Sequence, residues 1–171
     1  MLELAGYRAM KHAIALVLLV LMAGRSGAMA QESLSGVASV IDGDTIDIHG
    51  QRIRLFGIDT PEKGQTCDDA TGQPYRCGQK AAFVLADFIG RSPVSCEPKA
   101  NDRYGRIVGR CFVRNIDMNE YMVRSGWALA YRRYASDYIG AEQEAKNNHR
   151  GVWAGSLTPP WEWRKAKREG F

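Results

Sequence analysis

Histidine is scarce in this chain of 171 residues, with three in all. Two of them, His49 and His149, stand far apart, so chemistry that needs a histidine nucleophile, or a histidine base beside a metal, has little to build on. No Gly-x-Ser-x-Gly elbow is present, which removes the usual serine-hydrolase reading. No Cys-x-x-Cys pair offers the start of a zinc site. Long apolar runs are missing too: the stretch from Ala13 to Ala23 falls short of the about twenty residues that a bilayer span takes. There is no internal repeat, no low-complexity segment and no sign of a second domain.

What is present begins with an unusual first thirty residues. Arg8 and Lys11 precede the apolar run, and Ala28-Met29-Ala30 then offers small residues where a signal peptidase reads them. Residues 1–30 are therefore expected to be a cleavable secretory signal, with the mature protein periplasmic or secreted and without stable membrane association. Without them Lys and Arg fall from 23 to 20, Asp and Glu from 19 to 18, and the net charge from +4 to +2. That field is too weak to hold nucleic acid by itself, so any phosphate recognition must be local. The remaining length is enough to bury a core. All four cysteines, Cys67, Cys77, Cys96 and Cys111, lie in the exported part, and an even number in an oxidising compartment favours two disulfides.

From Leu34 to Ile58 the pattern alternates as strands do, and Gly43 and His49-Gly50 punctuate it into three. Arg54 and Asp59 are five apart, which strict alternation sends to opposite faces; Gly57 is expected to mark a bulge that re-aims the residues after it. Pro61 to Tyr75 reads as a loop, bracketed and stiffened by a bridge between Cys67 and Cys77. Ala81, Val84, Leu85, Phe88 and Ile89 then form one face of a helix ended by Gly90. Val94 to Glu97 and Ile107 to Val113 form a hairpin. One register pairs Val94 with Val113, Cys96 with Cys111 and Glu97 with Arg110, and this agreement favours the second disulfide. Asp117 with Glu120 starts another helix. After Gly126 a short extended piece, Trp127 to Tyr131, leads to a helix over Asp137 to His149, stopped by Gly151. Residues 154–171 form an extension in which Trp161 and Trp163 precede Arg164, Lys165, Lys167 and Arg168. It reads as a solvated end whose tryptophans lie against the domain, with stacking on bases as the functional alternative.

Five strands, a helix after the third and two more helices at the end are consistent with an α+β fold, a small closed barrel of OB type, among several folds that this order of elements would allow. The stretch that draws attention is Val40 to Glu62, which sets Asp42, Asp44, Asp59 and Glu62 beside Arg54. Acidic and cationic groups on adjoining strands are costly to gather unless something uses them. A metal ion and a phosphate would.

Asp42-Gly43-Asp44-Thr45, then Arg54 ahead of Asp59-Thr60-Pro61-Glu62, then Asp102-Arg103-Tyr104-Gly105-Arg106 closely resemble the staphylococcal nuclease (thermonuclease) family, over about Val40 to Trp153. The resemblance implies a five-stranded OB-fold barrel with three α-helices over residues 31–153, and calcium-dependent hydrolysis of DNA and/or RNA to 3′-phosphate ends by a monomer. By position it makes Asp44 and Asp59 the calcium carboxylates and the Thr60 carbonyl a further ligand, a donor set that suits a hard ion. Asp42 stands behind them, orienting waters or backbone. Arg54 and Arg106 match the arginines that hold the scissile phosphate, where a planar guanidinium meets two oxygens at once. Glu62 matches the general base. Arg103 and Tyr104 match positions against the bound nucleotide, as does Tyr131, or Tyr134 in its place, because the spacing after Gly126 is one residue short of the family's. Two departures stand out: the cysteine-bracketed insert after Glu62, and the chain beyond Trp153. A catalytically silent barrel that binds nucleic acid or protein is the alternative, but such a domain is expected to have lost some of Asp44, Arg54, Asp59, Glu62 and Arg106, which are all here.

Overall fold

The computed structural model describes residues 34–170 of the chain; the signal expected over residues 1–30 lies outside them. The longer strands are the five expected: β2 (Ala38–Asp42), β3 (Thr45–Ile48), β4 (Gln51–Leu55), β8 (Val94–Asn101) and β9 (Ile107–Val113), with β1 (Leu34–Gly36) and β10 (Ile116–Asp117) added at the ends. Their order is β1-β8-β9-β4-β3-β2, with β10 on β9, and only the β4–β9 pair is parallel. The fold is α+β, of OB type. His49 and Gly50 both have positive φ, 53° and 83°, the two left-handed residues that a tight hairpin turn between twisted strands requires.

The β8–β9 register is the expected one, with Val94 opposite Val113, Cys96 opposite Cys111 and Glu97 opposite Arg110. Disulfides join Cys96 to Cys111 and Cys67 to Cys77. The loop carrying the second is not bare, since β6 (Cys67–Asp68) pairs with β7 (Pro74–Tyr75) inside it. Helix α1 (Cys77–Ile89) buries Ala81, Leu85 and Ile89, with Val84 and Phe88 packed at the edge. They meet Ile46, Ile48, Ile53 and Leu55 from the sheet, and apolar area of this kind contributes roughly 1.5–3 kcal/mol per fully buried side chain. Helix α2 (Met118–Arg124) begins where Asp117 accepts the Glu120 N–H, 3.0 Å, as the sequence suggests.

Gly57 acts differently from the bulge expected of it. With φ at 74° it ends β4 and turns the chain out of the main sheet into β5 (Ile58–Asp59), which pairs instead with β11 (Leu129–Ala130). The break is stapled by buried Asn119, whose amide donates to the Phe56 carbonyl at 2.9 Å and the Gly109 carbonyl at 3.1 Å. Strand β11 is held in turn by Glu142 of helix α3 (Ile139–Asn147), which accepts the Ala130 N–H at 3.1 Å and pairs with Arg132 and Lys146. Asp59 is thus placed by a chain of contacts running through the last third of the sequence.

In the C-terminal segment Trp161 packs against the domain as expected, but the segment is not an unstructured end. Residues beyond a 3-10 turn (Gly151–Ala154) form a fourth helix among the described residues, α4 (Pro160–Glu169). Its signals are ordinary ones: Pro160 in the first turn, Glu162 beside it, Lys167 and Arg168 in the last turn, and Gly170 left-handed at the end.

Gly78 illustrates how tightly α1 meets the site loop. A Cβ there would sit 1.8 Å from the Glu62 carbonyl oxygen, so Gly78→Ala is expected to destabilise the protein by roughly 1–3 kcal/mol, as overpacking does. Chemical unfolding measures this, and unchanged stability would show that the loop and helix part freely.

Candidate active site

Asp44 lies in the turn between β2 and β3 and is 4% exposed. Its backbone N–H donates to Asp42 at 3.1 Å, so Asp42 shapes the turn that presents it. Gly43 between them allows the turn to pack down: a Cβ there would meet the Thr60 hydroxyl at 2.8 Å and the Ala81 methyl at 2.9 Å. Arg54, from β4, reaches across the sheet. Its Nη2 lies 2.8 Å from Asp44 Oδ2 and 2.8 Å from Asp59 Oδ1, so one guanidinium nitrogen joins the two buried carboxylates. Arg54 and Asp59 share a face because Gly57 breaks the strand between them.

Burial pushes the Asp44 carboxyl up to about 7, the Asp42 and Asp59 charges push the same way, and Arg54 opposes them. Arg54 itself is raised by Asp44 and Asp59 against the effect of its own burial. Asp44 therefore holds its proton more tightly folded than unfolded, so its contribution to stability is complete below its ordinary value of 3.8 and is lost as pH rises through about 7. Without divalent cations, Asp44→Asn should gain thermal stability relative to the parent across that window, then level off. Melts from pH 4 to 8 test it, and a constant difference would reject the raised carboxyl.

Glu62 sits on the loop after β5. Its N–H donates to the Gln65 side chain at 3.1 Å, and its carbonyl accepts from the Gln65 N–H at 2.7 Å. Arg106 comes after the β8–β9 turn, where Asp102 accepts its Nε at 2.7 Å and its backbone N–H at 3.0 Å. Arg106 and Arg103 lie over the Tyr104 ring, at 5.8 and 5.3 Å from its centre, and Tyr104 is 73% exposed.

One cleft of about 810 Å³ gathers these residues. Asp42, Asp44, Arg54, Thr60, Glu62 and Arg106 line it, with Arg103, Tyr104, Tyr131 and Tyr134 around them, while Asp59 lies buried behind Arg54. Tyr131 and Tyr134 both belong to it, so neither excludes the other; their rings meet edge to face at 5.1 Å. Four further cations on its wall do not stand out in the sequence as site residues: Lys63, Arg133, Arg164 and Arg168. Arg164 is the most consequential. It donates from Nη1 to Asp59 Oδ1 at 3.0 Å and to Glu62 Oε1 at 2.6 Å, and from Nη2 to Asp59 Oδ2 at 2.7 Å. Pro159-Pro160 before charged residues is a legible helix start, but nothing local announces where Arg164 points.

Carboxylates, exposed aromatic rings and arginines around one cleft suit a phosphodiester chain. Residues 52–155 match the family described as staphylococcal nuclease homologue. The chain belongs to the staphylococcal nuclease family. Among relatives named as nucleases, a micrococcal nuclease of Shigella flexneri is 33% identical over 77% of this chain and 80% of its own length. An uncharacterized endonuclease of Escherichia coli is 33% identical over 77% of this chain and 84% of its own. The succinoglycan biosynthesis protein ExoI of Rhizobium meliloti (strain 1021) is 44% identical over 72% of this chain and 66% of its own length. The matched family region of the nuclease ends before α4, so Arg164 lies outside it.

Among the described residues of the nuclease, no group of three or more His, Cys, Asp or Glu side chains is gathered as a metal site. Two carboxylates, a backbone carbonyl and waters form a sparser set. Asp44 and Asp59 are both buried carboxylates that reach one Arg54 nitrogen, at 2.8 Å each, and oxygen donors of this kind suit a hard divalent cation.

Proposed function

We propose that this nuclease hydrolyses the phosphodiester bonds of DNA and/or RNA with calcium, leaving 3′-phosphate ends. The observation that carries the reading is the single Arg54 nitrogen shared by Asp44 and Asp59, with Glu62 and Arg106 lining the same cleft. Calcium would be held by Asp44, Asp59 and the Thr60 carbonyl, and when bound it supplies a Lewis acid for a phosphate oxygen and for water.

The chain's own residues supply the rest. Arg54 and Arg106 hold the scissile phosphate and meet the charge that grows on its oxygens as water attacks; neither guanidinium gives up its proton at neutral pH. Glu62 accepts the proton of the attacking water at its carboxylate. Asp42 keeps the Asp44 backbone in place. Tyr104, Arg103 and one or both of Tyr131 and Tyr134 carry the neighbouring base and sugar by stacking, which tolerates any base.

Export is part of the same reading, and two disulfides support it, because such bridges persist in oxidising compartments. Among the described residues no helix is long and apolar enough to cross a membrane.

The test is residues 31–171, purified and mixed with plasmid DNA or with RNA, in calcium and then in chelator. Degradation in calcium that stops in chelator is expected, with product ends that resist labelling until a phosphatase removes the 3′-phosphate. Binding without cleavage would instead make the domain a silent module, and cleavage that survives chelation would reject the cation.

A further inference from the structure

Helix α4 is not loosely attached. At its base the buried Gln65 side chain donates to the Thr158 carbonyl at 2.6 Å. Just before it, Ser156 and Asp68 exchange two backbone hydrogen bonds at 3.0 and 3.1 Å, which ties the segment to the disulfide-bracketed loop. Along the helix, Trp161, Arg164 and Arg168 stand at i, i+3 and i+7 and so share one face. Trp161 stacks on Tyr131, with ring centres 5.7 Å apart and planes 14° from parallel, and Arg164 and Arg168 line the cleft. The stack and the Gln65 bond fix the height and rotation of the helix, and these in turn fix where Arg164 reaches.

What Arg164 reaches is a pair of like charges. Asp59 is fully buried and Glu62 is about one-third exposed at the rim. Two carboxylates drawn together repel, and a glutamate at a cleft mouth has both the rotamers and the incentive to turn outward into water. Arg164 opposes this with a planar fork: Nη1 donates to both carboxylates and Nη2 to the far oxygen of Asp59. Such charge-assisted forks fix geometry as well as charge. Lysine, with one ammonium on a flexible stem, cannot reproduce this. No other side chain of the described residues is hydrogen-bonded or ion-paired to the Glu62 carboxylate.

We propose that Arg164 is a positioning residue for the reaction: it holds the Glu62 carboxylate in line beside Asp59, and α4 with its Trp161–Tyr131 stack exists to deliver it. The claim rests on Glu62 being the base, as in the function proposed above. It makes the segment beyond the matched family region part of the catalytic apparatus.

A double-mutant cycle tests it, using Arg164→Ala, Glu62→Gln and the pair together, with Arg164→Lys alongside. Arg164→Ala is expected to lower kcat about 10²-fold, the scale of a misplaced catalytic group, with KM for DNA changed little. In the Glu62→Gln background the same substitution should cost less than about threefold, because a group that acts through Glu62 has nothing left to act on. Arg164→Lys should keep only part of the rate. Calcium titration by calorimetry supplies a readout apart from turnover: with Arg164 removed, affinity should be unchanged or tighter, since a positive neighbour of Asp59 is gone.

Three results would overturn the proposal. One is a kcat for Arg164→Ala or Arg164→Lys equal to the parent's. Another is a full additive loss in the Glu62→Gln background. The third is a loss of rate accompanied by weaker calcium binding, which would make Arg164 a structural prop of the cation site. If Glu62→Gln itself leaves kcat intact, the failure belongs to the function proposed above and not to Arg164.

Discussion

Glu62→Gln is expected to lower kcat on plasmid DNA by roughly 10²–10⁴-fold, the span that a positioned general base contributes, with KM and the melting temperature near those of the parent. The substitution is well suited to the site. A glutamine keeps a carbonyl oxygen for the Arg164 Nη1 that now lies 2.6 Å from Oε1, and its backbone contacts to Gln65 are untouched. What it removes is the capacity to take a proton. Steady-state kinetics in calcium, with circular dichroism to verify the fold, decide the matter. A variant that keeps more than about a tenth of the parent's kcat would mean that water is activated without Glu62.

Arg54→Ala and Arg106→Ala separate two kinds of arginine. Each is expected to lower kcat/KM by roughly 10²–10³-fold, as loss of a donor to developing charge does. Their effects on stability should differ. Arg54 is the shared partner of two buried carboxylates, so its removal leaves Asp44 and Asp59 facing each other, at a cost of about 3 kcal/mol. That is the lower end for breaking a buried pair, because Asp59 retains Arg164. Arg106 pairs with Asp102 in a partly exposed turn, and Asp102 keeps the backbone N–H groups of Tyr104 and Arg106, so that change should stay under about 1 kcal/mol. Urea unfolding in chelator measures both. Equal losses would mean that Arg54 does not clamp the two carboxylates.

The residues of the cleft are legible in the sequence to unequal degrees. Asp42, Asp44 and Arg54 are close along the chain, on strands joined by short turns, so hairpin geometry brings them together, whereas Thr60 and Glu62 follow a strand that leaves that sheet to pair with β11. Arg106 is recognisable from the turn motif it closes. Gly57 is correctly read as a point of change but not as a bulge. A bulge and an exit from the sheet look alike in one sequence, and only the pairing of β5 with β11 tells them apart. In the C-terminal segment Trp161 lies against the domain as its composition suggests, but the sequence is read as a solvated end where a docked helix stands. Its capping signals are readable, but a helix with little apolar surface of its own does not reveal what it leans on.

Periodicity and cross-strand pairing thus determined the strands, the α1 core stripe, the Cys96–Cys111 register and the acidic hairpin with its arginine, since each depends on neighbours a few residues away or directly opposite. Tertiary structure alone decided that Glu142 and β11 would seat Asp59, that Tyr131 would stack on Trp161, and that Arg164 would cross 105 positions of sequence to meet Asp59. Contacts of that kind follow the path of the whole chain through space, and no local pattern encodes where two distant faces will touch.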